Sequence, residues 1–361
     1  MKEKKPNRSA YIHIPFCKHK CPYCDFNSFQ DCDDLIKEYI ESLLIEIKKY
    51  SINELYTIYI GGGTPSYIDA KYIKNILEVL PNAEEITLEL NPGTINYEKL
   101  LSYKNDGINR LSIGLQSAND EILKEIGRIH TVEDFEESYK LARSLGFNNI
   151  SVDLMFGLPR QNLSIFKESL EYLISLNPEH ISTYSLILHN DIFKNLPSED
   201  EERAMYHYLV KRLKEAGYIH YEISNFAKPN CESKHNIIYW RQKEYYGFGA
   251  GASSFLNNKR YTNEKNIKKY IKKIKDNVDV KELEESLDKE DIINEYIILG
   301  LRLVEGISIK EINNKFNIDF LKKYESSINK LKNLELIDIS DNIKLTDKGL
   351  DFANIVWEEF V

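Results

Sequence analysis

The chain has 361 residues, with 48 Lys and Arg against 57 Asp and Glu for a formal net charge of −9. That length exceeds what one ordinary domain needs and predicts a main domain with a smaller one appended. The acidic balance argues against sequence-independent attraction to nucleic-acid phosphates, and no apolar run approaches the length that spans a bilayer.

The chain opens on Met1-Lys-Glu-Lys-Lys-Pro6, charged and followed at once by a strand-like segment. This start lacks the apolar core and cleavage site of a signal peptide, so the expected location is cytoplasmic. Next come Cys17, Cys21 and Cys24, three of the five cysteines within eight residues. An odd count in so tight a group does not suit a secreted disulfide framework and favours metal binding in a reducing compartment. Iron–sulfur clusters normally take four cysteines, so a three-cysteine loop leaves one iron open to an exchangeable ligand. Zinc is the alternative, with His13 or His19 as a fourth ligand. Cys32 and Cys231 fall outside the spacing and read as ordinary thiols.

Helical and strand-like pieces then alternate, the pattern of parallel β/α units, and the main domain is expected to be α/β. Strands are predicted at 55–60, 85–90, 110–115, 150–155 and 180–186. Helices are predicted at 34–49, 67–80, 131–145, 163–176 and 198–216, with Gly146 and Gly217 as stop signals. Gly61-Gly62-Gly63-Thr64-Pro65, Asn91-Pro92-Gly93, Gln116 and Gly157-Leu158-Pro159 fall just after strands, the end that carries the site in parallel barrels. A lysine-rich stretch at 263–275 changes the character of the sequence, which places a domain boundary before it and divides the chain into 1–262 and 263–361. Helical patterns at 289–303, 309–316 and 321–331 lead to an alternating segment at 336–345 around Asp341-Asn342. This is the outline of a winged helix, expected to act as a scaffold beside the main domain rather than as a nucleic-acid reader.

The run Cys17-x3-Cys21-x2-Cys24, with Tyr23 before the last cysteine and the glycine-rich Gly61 to Pro65 after the next strand, resembles the radical S-adenosylmethionine superfamily. The resemblance implies a partial (β/α)6 TIM-like barrel, the radical SAM core. It also implies a [4Fe-4S] cluster on Cys17, Cys21 and Cys24, with S-adenosylmethionine (SAM) chelating the open iron. It narrows to the branch of coproporphyrinogen III oxidases and haem chaperones at Tyr11, His13-Ile-Pro-Phe16, Glu89 in Leu88-Glu-Leu-Asn-Pro92, Gln116 in Ser112-Ile-Gly-Leu-Gln116, Arg128 and Asp153. Together with Tyr23, Gly62, Gly63 and Thr64, these positions are expected to surround SAM. Carboxylates suit its ribose hydroxyls or ammonium, Arg128 its carboxylate, and Gln116 can bridge.

The oxidases of this branch remove two propionate carboxyls from coproporphyrinogen III. They carry a further cysteine two residues beyond the third, and a long amino-terminal arm. Here that position is Phe26, and the chain begins only sixteen residues before Cys17. His235-Asn-Ile-Ile-Tyr239-Trp240 instead looks like the motif of HemW-type haem chaperones. It implies haem contact, with His235 as an axial ligand and Tyr239 and Trp240 against the macrocycle. A core histidine between aromatics is the competing reading. The implied function is haem binding and delivery to an acceptor protein, a membrane haemoprotein among the options. The cluster and SAM would then act in homodimer formation or as a trigger for transfer. Oxidative decarboxylation is the alternative, which leaves enzymatic activity open. A winged-helix regulator with a redox cluster is a third class and predicts salt-sensitive DNA binding.

Overall fold

The computed structural model describes residues 8–187 and 192–361, so the charged start of the chain lies outside the described residues. Six strands run parallel in chain order: β1 (Ser9–Ile14), β2 (Thr57–Gly62), β3 (Glu85–Leu90), β4 (Arg110–Gln116), β5 (Ile150–Phe156) and β6 (His180–Ser185). Antiparallel β7 (Ile219–Glu222) and β8 (Asn225–Ala227) extend the β6 edge. Beyond β1 lie a parallel β9 (Tyr245–Phe248) and antiparallel β10 (Ser253–Leu256), β11 (Lys259–Asn263) and β12 (Lys281–Ser286), completing one sheet of 12 strands.

Helices Ile36–Lys48, Ala70–Glu78, Tyr97–Asn105, Val132–Ser144, Leu163–Leu176 and Glu199–Glu215 follow successive strands. All but the first start at a side-chain cap, Asp69, Asn96, Thr131, Asn162 or Ser198, which accepts a free backbone N–H of the first turn. Side chains alternate across a strand with period two. Ile58, Ile60, Leu88, Leu111, Ile113, Val152 and Leu154 pack outward into one core with the helices. The alternate residues Tyr59, Glu89, Ser112, Asp153 and Ser182 are polar and line a cavity on the other face. The half-open α/β barrel expected from the sequence is thus present, with a polar interior.

The domain boundary expected at 262/263 needs correction. Ile267, Tyr270, Ile271 and Ile274 of the helix Ile267–Lys275 belong to the first core, and the Tyr270 hydroxyl donates to Glu46 Oε2 at 2.6 Å. The lysines of this stretch are the solvent face of an amphipathic helix, not a linker, which is why composition alone misplaced the break. β12 also pairs with β11 in the main sheet. The second core begins at Ile293, in the helix Lys289–Gly300, which Asp288 opens with a capping box. That unit adds helices Ile309–Phe316 and Glu325–Asn333, and a small sheet of β13 (Ile307–Ser308), β14 (Ile337–Ile339) and β15 (Asn342–Leu345) in the order β13-β15-β14, matching the winged-helix outline. No helix among the described residues is long and apolar enough to cross a membrane.

Candidate cofactor site

A cavity of about 310 Å³ opens at the carboxyl ends of the parallel strands. Cys17, Cys21 and Cys24 all line it, on the loop that follows β1. Thr64 Oγ1 donates to Cys17 Sγ at 3.6 Å, Cys21 Sγ lies 3.6 Å from the Gly127 carbonyl, and Cys24 Sγ is 4.0 Å from Ser28 Oγ. No three His, Cys, Asp or Glu side chains among the described residues converge on one point as a single-ion site requires. Thiols spread around a shared cavity suit a cubane, in which each sulfur ligates a different iron. Zinc also loses one donor, because His13 Nδ1 is 2.9 Å from the Tyr11 hydroxyl and its Nε2 is 2.8 Å from the Asn27 carbonyl. The glycine loop fits closely against the cysteines. A Cβ on Gly63 would stand 2.9 Å from both Cys17 Sγ and the Phe16 carbonyl oxygen, with backbone on one side that cannot yield. Gly63→Ala is therefore expected to lower the iron and sulfide content of reconstituted protein while the far-ultraviolet circular dichroism stays unchanged.

Of the residues expected around SAM, Tyr23, Gly62, Gly63, Thr64, Glu89, Gln116, Arg128 and Asp153 all line this one cavity. Tyr11 does not. It stands behind the wall, its ring 6.2 Å from that of Tyr59, and orients His13. Glu89 accepts from the Tyr59 hydroxyl at 2.8 Å and from the Gly62 N–H at 3.1 Å, which fixes a carboxylate against the glycine loop. Ser112 Oγ donates to Asp153 Oδ1 at 3.3 Å. Gln116 reaches the cavity through backbone strain. Its φ is 69°, and the β4–β5 register shifts between Gly114 and Gln116, a bulge that re-aims the side chain. Arg128 donates to Asn91 Oδ1 at 2.5 Å and to the Gly114 carbonyl at 3.2 Å, leaving its buried Nε unpartnered. Sequence reasoning missed Tyr59, Arg110, Ser112, Ser182, Tyr184 and Asn236, which also line the cavity. Most of them sit at the polar alternate positions of the strands, which was the available signal.

Burial pushes the Glu89 carboxyl up to about 7 and that of Asp153 up to about 6. A cationic or hydroxyl-rich ligand that needs the carboxylates must displace protons below those values. SAM affinity, measured by calorimetry, is therefore expected to fall as pH drops from about 8 to about 6, with proton release on binding. Both folded values lie above the ordinary 4.5 and 3.8. Their stability contribution is thus full below about pH 4 and is lost as pH rises through 6 and 7, so the ligand-free protein should melt at lower temperature at pH 8 than at pH 5.

The motif His235-Asn-Ile-Ile-Tyr-Trp240 forms most of the helix Lys234–Trp240, which closes the amino-terminal end of the barrel. Glu85, at the start of β3, accepts the backbone N–H groups of Lys234 and His235 at 3.1 and 3.0 Å. His235 is buried, with Nδ1 2.7 Å from Thr57 Oγ1, Nε2 2.8 Å from the Tyr239 hydroxyl, and its ring 5.1 Å from that of Tyr59. Burial lowers its pKa to about 3. With both nitrogens hydrogen-bonded, His235 could ligate iron only by giving up the Thr57 or Tyr239 hydroxyl, and the core-histidine reading fits this geometry. Trp240 packs under Arg302, whose guanidinium carbon is 4.2 Å from the ring centroid, and so ties the barrel to the second unit. Asn236 alone of the motif lines the cofactor cavity.

The Radical SAM superfamily matches residues 11–173, and the HemN C-terminal domain matches residues 287–352, which begins where the second core does. The heme chaperone HemW of Lactococcus lactis is 40% identical over 373 residues, covering 99% of this chain and 98% of the relative. The chain belongs to the HemW family. The Bacillus subtilis HemW is 37% identical, covering 98% of this chain and 99% of its own. Among solved structures, the Escherichia coli coproporphyrinogen III oxidase HemN superposes with a TM-score of 0.87 at 23% identity, covering 99% of this chain and 90% of that one. At that identity the likeness speaks for the fold alone. Membership of the HemW family within the radical SAM superfamily implies a [4Fe-4S] cluster and SAM, and the thiols and cavity residues described above fit both groups.

Proposed function

We propose that this member of the HemW family binds haem and passes it to an acceptor protein. Cys17, Cys21 and Cys24 hold the cluster, and Tyr23, Gly62, Gly63, Thr64, Glu89, Gln116, Arg128 and Asp153 hold SAM. The observation that carries the reading is full-length similarity to proteins named heme chaperones. Phe26 at the oxidase's further cysteine position, 65% exposed, and the HemW-type motif in the Lys234–Trp240 helix add to it. A cluster on the three thiols would leave one iron open to SAM, and only on the oxidase reading would it serve to reduce the SAM sulfonium. The chain's own residues orient that ligand: Glu89 and Asp153 offer carboxylates, Gln116 and Arg128 offer N–H donors, and Gly62 and Gly63 let the backbone come close.

The protein acts in the cytoplasm on this reading, with a membrane haemoprotein as acceptor and a homodimer as its assembly. Haem-loaded protein mixed with an apo-haemoprotein should lose its haem band as the acceptor gains one. Retention of haem by the donor in every cluster and SAM state would refute delivery. The second reading, coproporphyrinogen oxidase, draws on the complete SAM cavity and the HemN fold. It predicts SAM-dependent loss of two carboxyl groups from coproporphyrinogen.

A further inference from the structure

A cleft of about 750 Å³ opens between the barrel and the second unit, on the far side of the Lys234–Trp240 helix from the cofactor cavity. Neighbouring residues of that short helix face the two spaces: Asn236 lines the cofactor cavity and Ile237 lines the cleft. The helix is a shared wall. Its sequence motif therefore bears on the cleft even though His235 itself is sealed in the barrel floor. The cleft is built into the fold by main-chain pairing: Ile223 N–H donates to the Arg302 carbonyl and Val304 N–H to the Tyr221 carbonyl, both at 3.1 Å.

We propose that this interdomain cleft is where haem binds, with His220 as its iron ligand. The proposal rests on the haem-carrying function above and says where that cargo sits. Size permits the cleft, whose volume lies within the roughly 300–1,000 Å³ of pockets that enclose ligands of this class. The smaller cofactor cavity has its lining committed to the cluster and SAM. Chemistry favours the cleft. Ile219, Ile237, Leu303 and Val304 give apolar walls for a macrocycle, and Lys344 stands at the cleft for a propionate; Glu232, Asp341 and Glu305, the last paired with Arg241, also line it. His220 lies flat on Phe226, with ring centroids 4.2 Å apart and planes 13° apart, which fixes its orientation. Its ring meets the backbone of Ile223 and Glu222, and the Nε2 contact to the Ile223 carbonyl is long, 3.3 Å, so a metal can replace it. Burial lowers its pKa to about 4, so the imidazole is neutral at physiological pH. The other described histidines suit iron less well. His13, His180 and His235 have both ring nitrogens held within 2.9 Å of a partner, His130 lines neither the cleft nor the cofactor cavity, and His207 is held by Asp351. His19 is exposed on the cluster loop.

The test is a titration of reconstituted full-length protein with ferric haem and, separately, with iron-free protoporphyrin. Wild type is compared with Val304→Trp, which fills the cleft, His220→Ala, His19→Ala and His235→Gln. Val304→Trp is expected to weaken both ligands at least about tenfold, about 1.4 kcal/mol. His220→Ala should change the haem absorption and electron paramagnetic resonance spectra while leaving protoporphyrin affinity near wild type. Cluster content and SAM binding should not change in either. If Val304→Trp fails to fold, Ile219→Trp at the exposed rim makes the same test. Haem spectra and affinities left intact by the cleft variants but altered by His19→Ala or His235→Gln would overturn the cleft and leave the chaperone reading standing. Failure of wild type to bind haem at all would take down both.

Discussion

Replacing Cys17, Cys21 and Cys24 together by alanine should abolish cluster assembly and lower SAM affinity by roughly two orders of magnitude or more. The three thiols are the sulfur donors on the cavity wall, and SAM has its carboxylates and N–H donors on the opposite strands but needs the open iron as its second anchor. The fold should survive, because the barrel core is built from the outward strand residues and the helices, to which none of these thiols belongs. Cys32→Ala and Cys231→Ala are the controls and should reconstitute normally. Iron and sulfide analysis with calorimetric SAM titration decides the matter. A triple variant that still binds SAM with wild-type affinity would mean that the carboxylates alone recognise it.

His235→Ala should destabilise the protein by about 3 kcal/mol in urea unfolding. The substitution empties a buried site, strips the partner from Thr57 Oγ1 and the Tyr239 hydroxyl, and removes the ring packed on Tyr59. His235→Gln, which keeps hydrogen-bonding capacity, should cost less. Haem affinity per folded molecule should follow neither change. A selective loss of haem binding at unchanged stability would return His235 to the role of iron ligand.

Much of this molecule is legible in its sequence. The strands at Glu85–Leu90 and Ile150–Phe156 and the helices Leu163–Leu176 and Ile309–Phe316 fall where period and caps put them, because side-chain alternation and burial agree there. The cysteine loop and glycine loop are equally plain, since both chemistries depend on residues close in sequence. What the sequence hid depends on three-dimensional assembly. The Lys268–Lys275 charges masked an apolar face that joins the barrel core. The strands β7 to β12 are short additions, antiparallel except for β9 against β1, whose pairing is set by the sheet edge they meet. His235, beside aromatics, reads equally well as a ligand or a core residue until Thr57, 178 positions away, is seen to hold its ring. The cleft is formed by segments far apart in the chain, and no local pattern announces it.

The most direct test of the central claim is one anaerobically reconstituted sample, titrated with haem and then supplied with SAM, reductant and coproporphyrinogen III. Stoichiometric haem binding and no decarboxylated product are expected. SAM-dependent conversion of coproporphyrinogen to protoporphyrinogen, with no saturable haem binding, would contradict it.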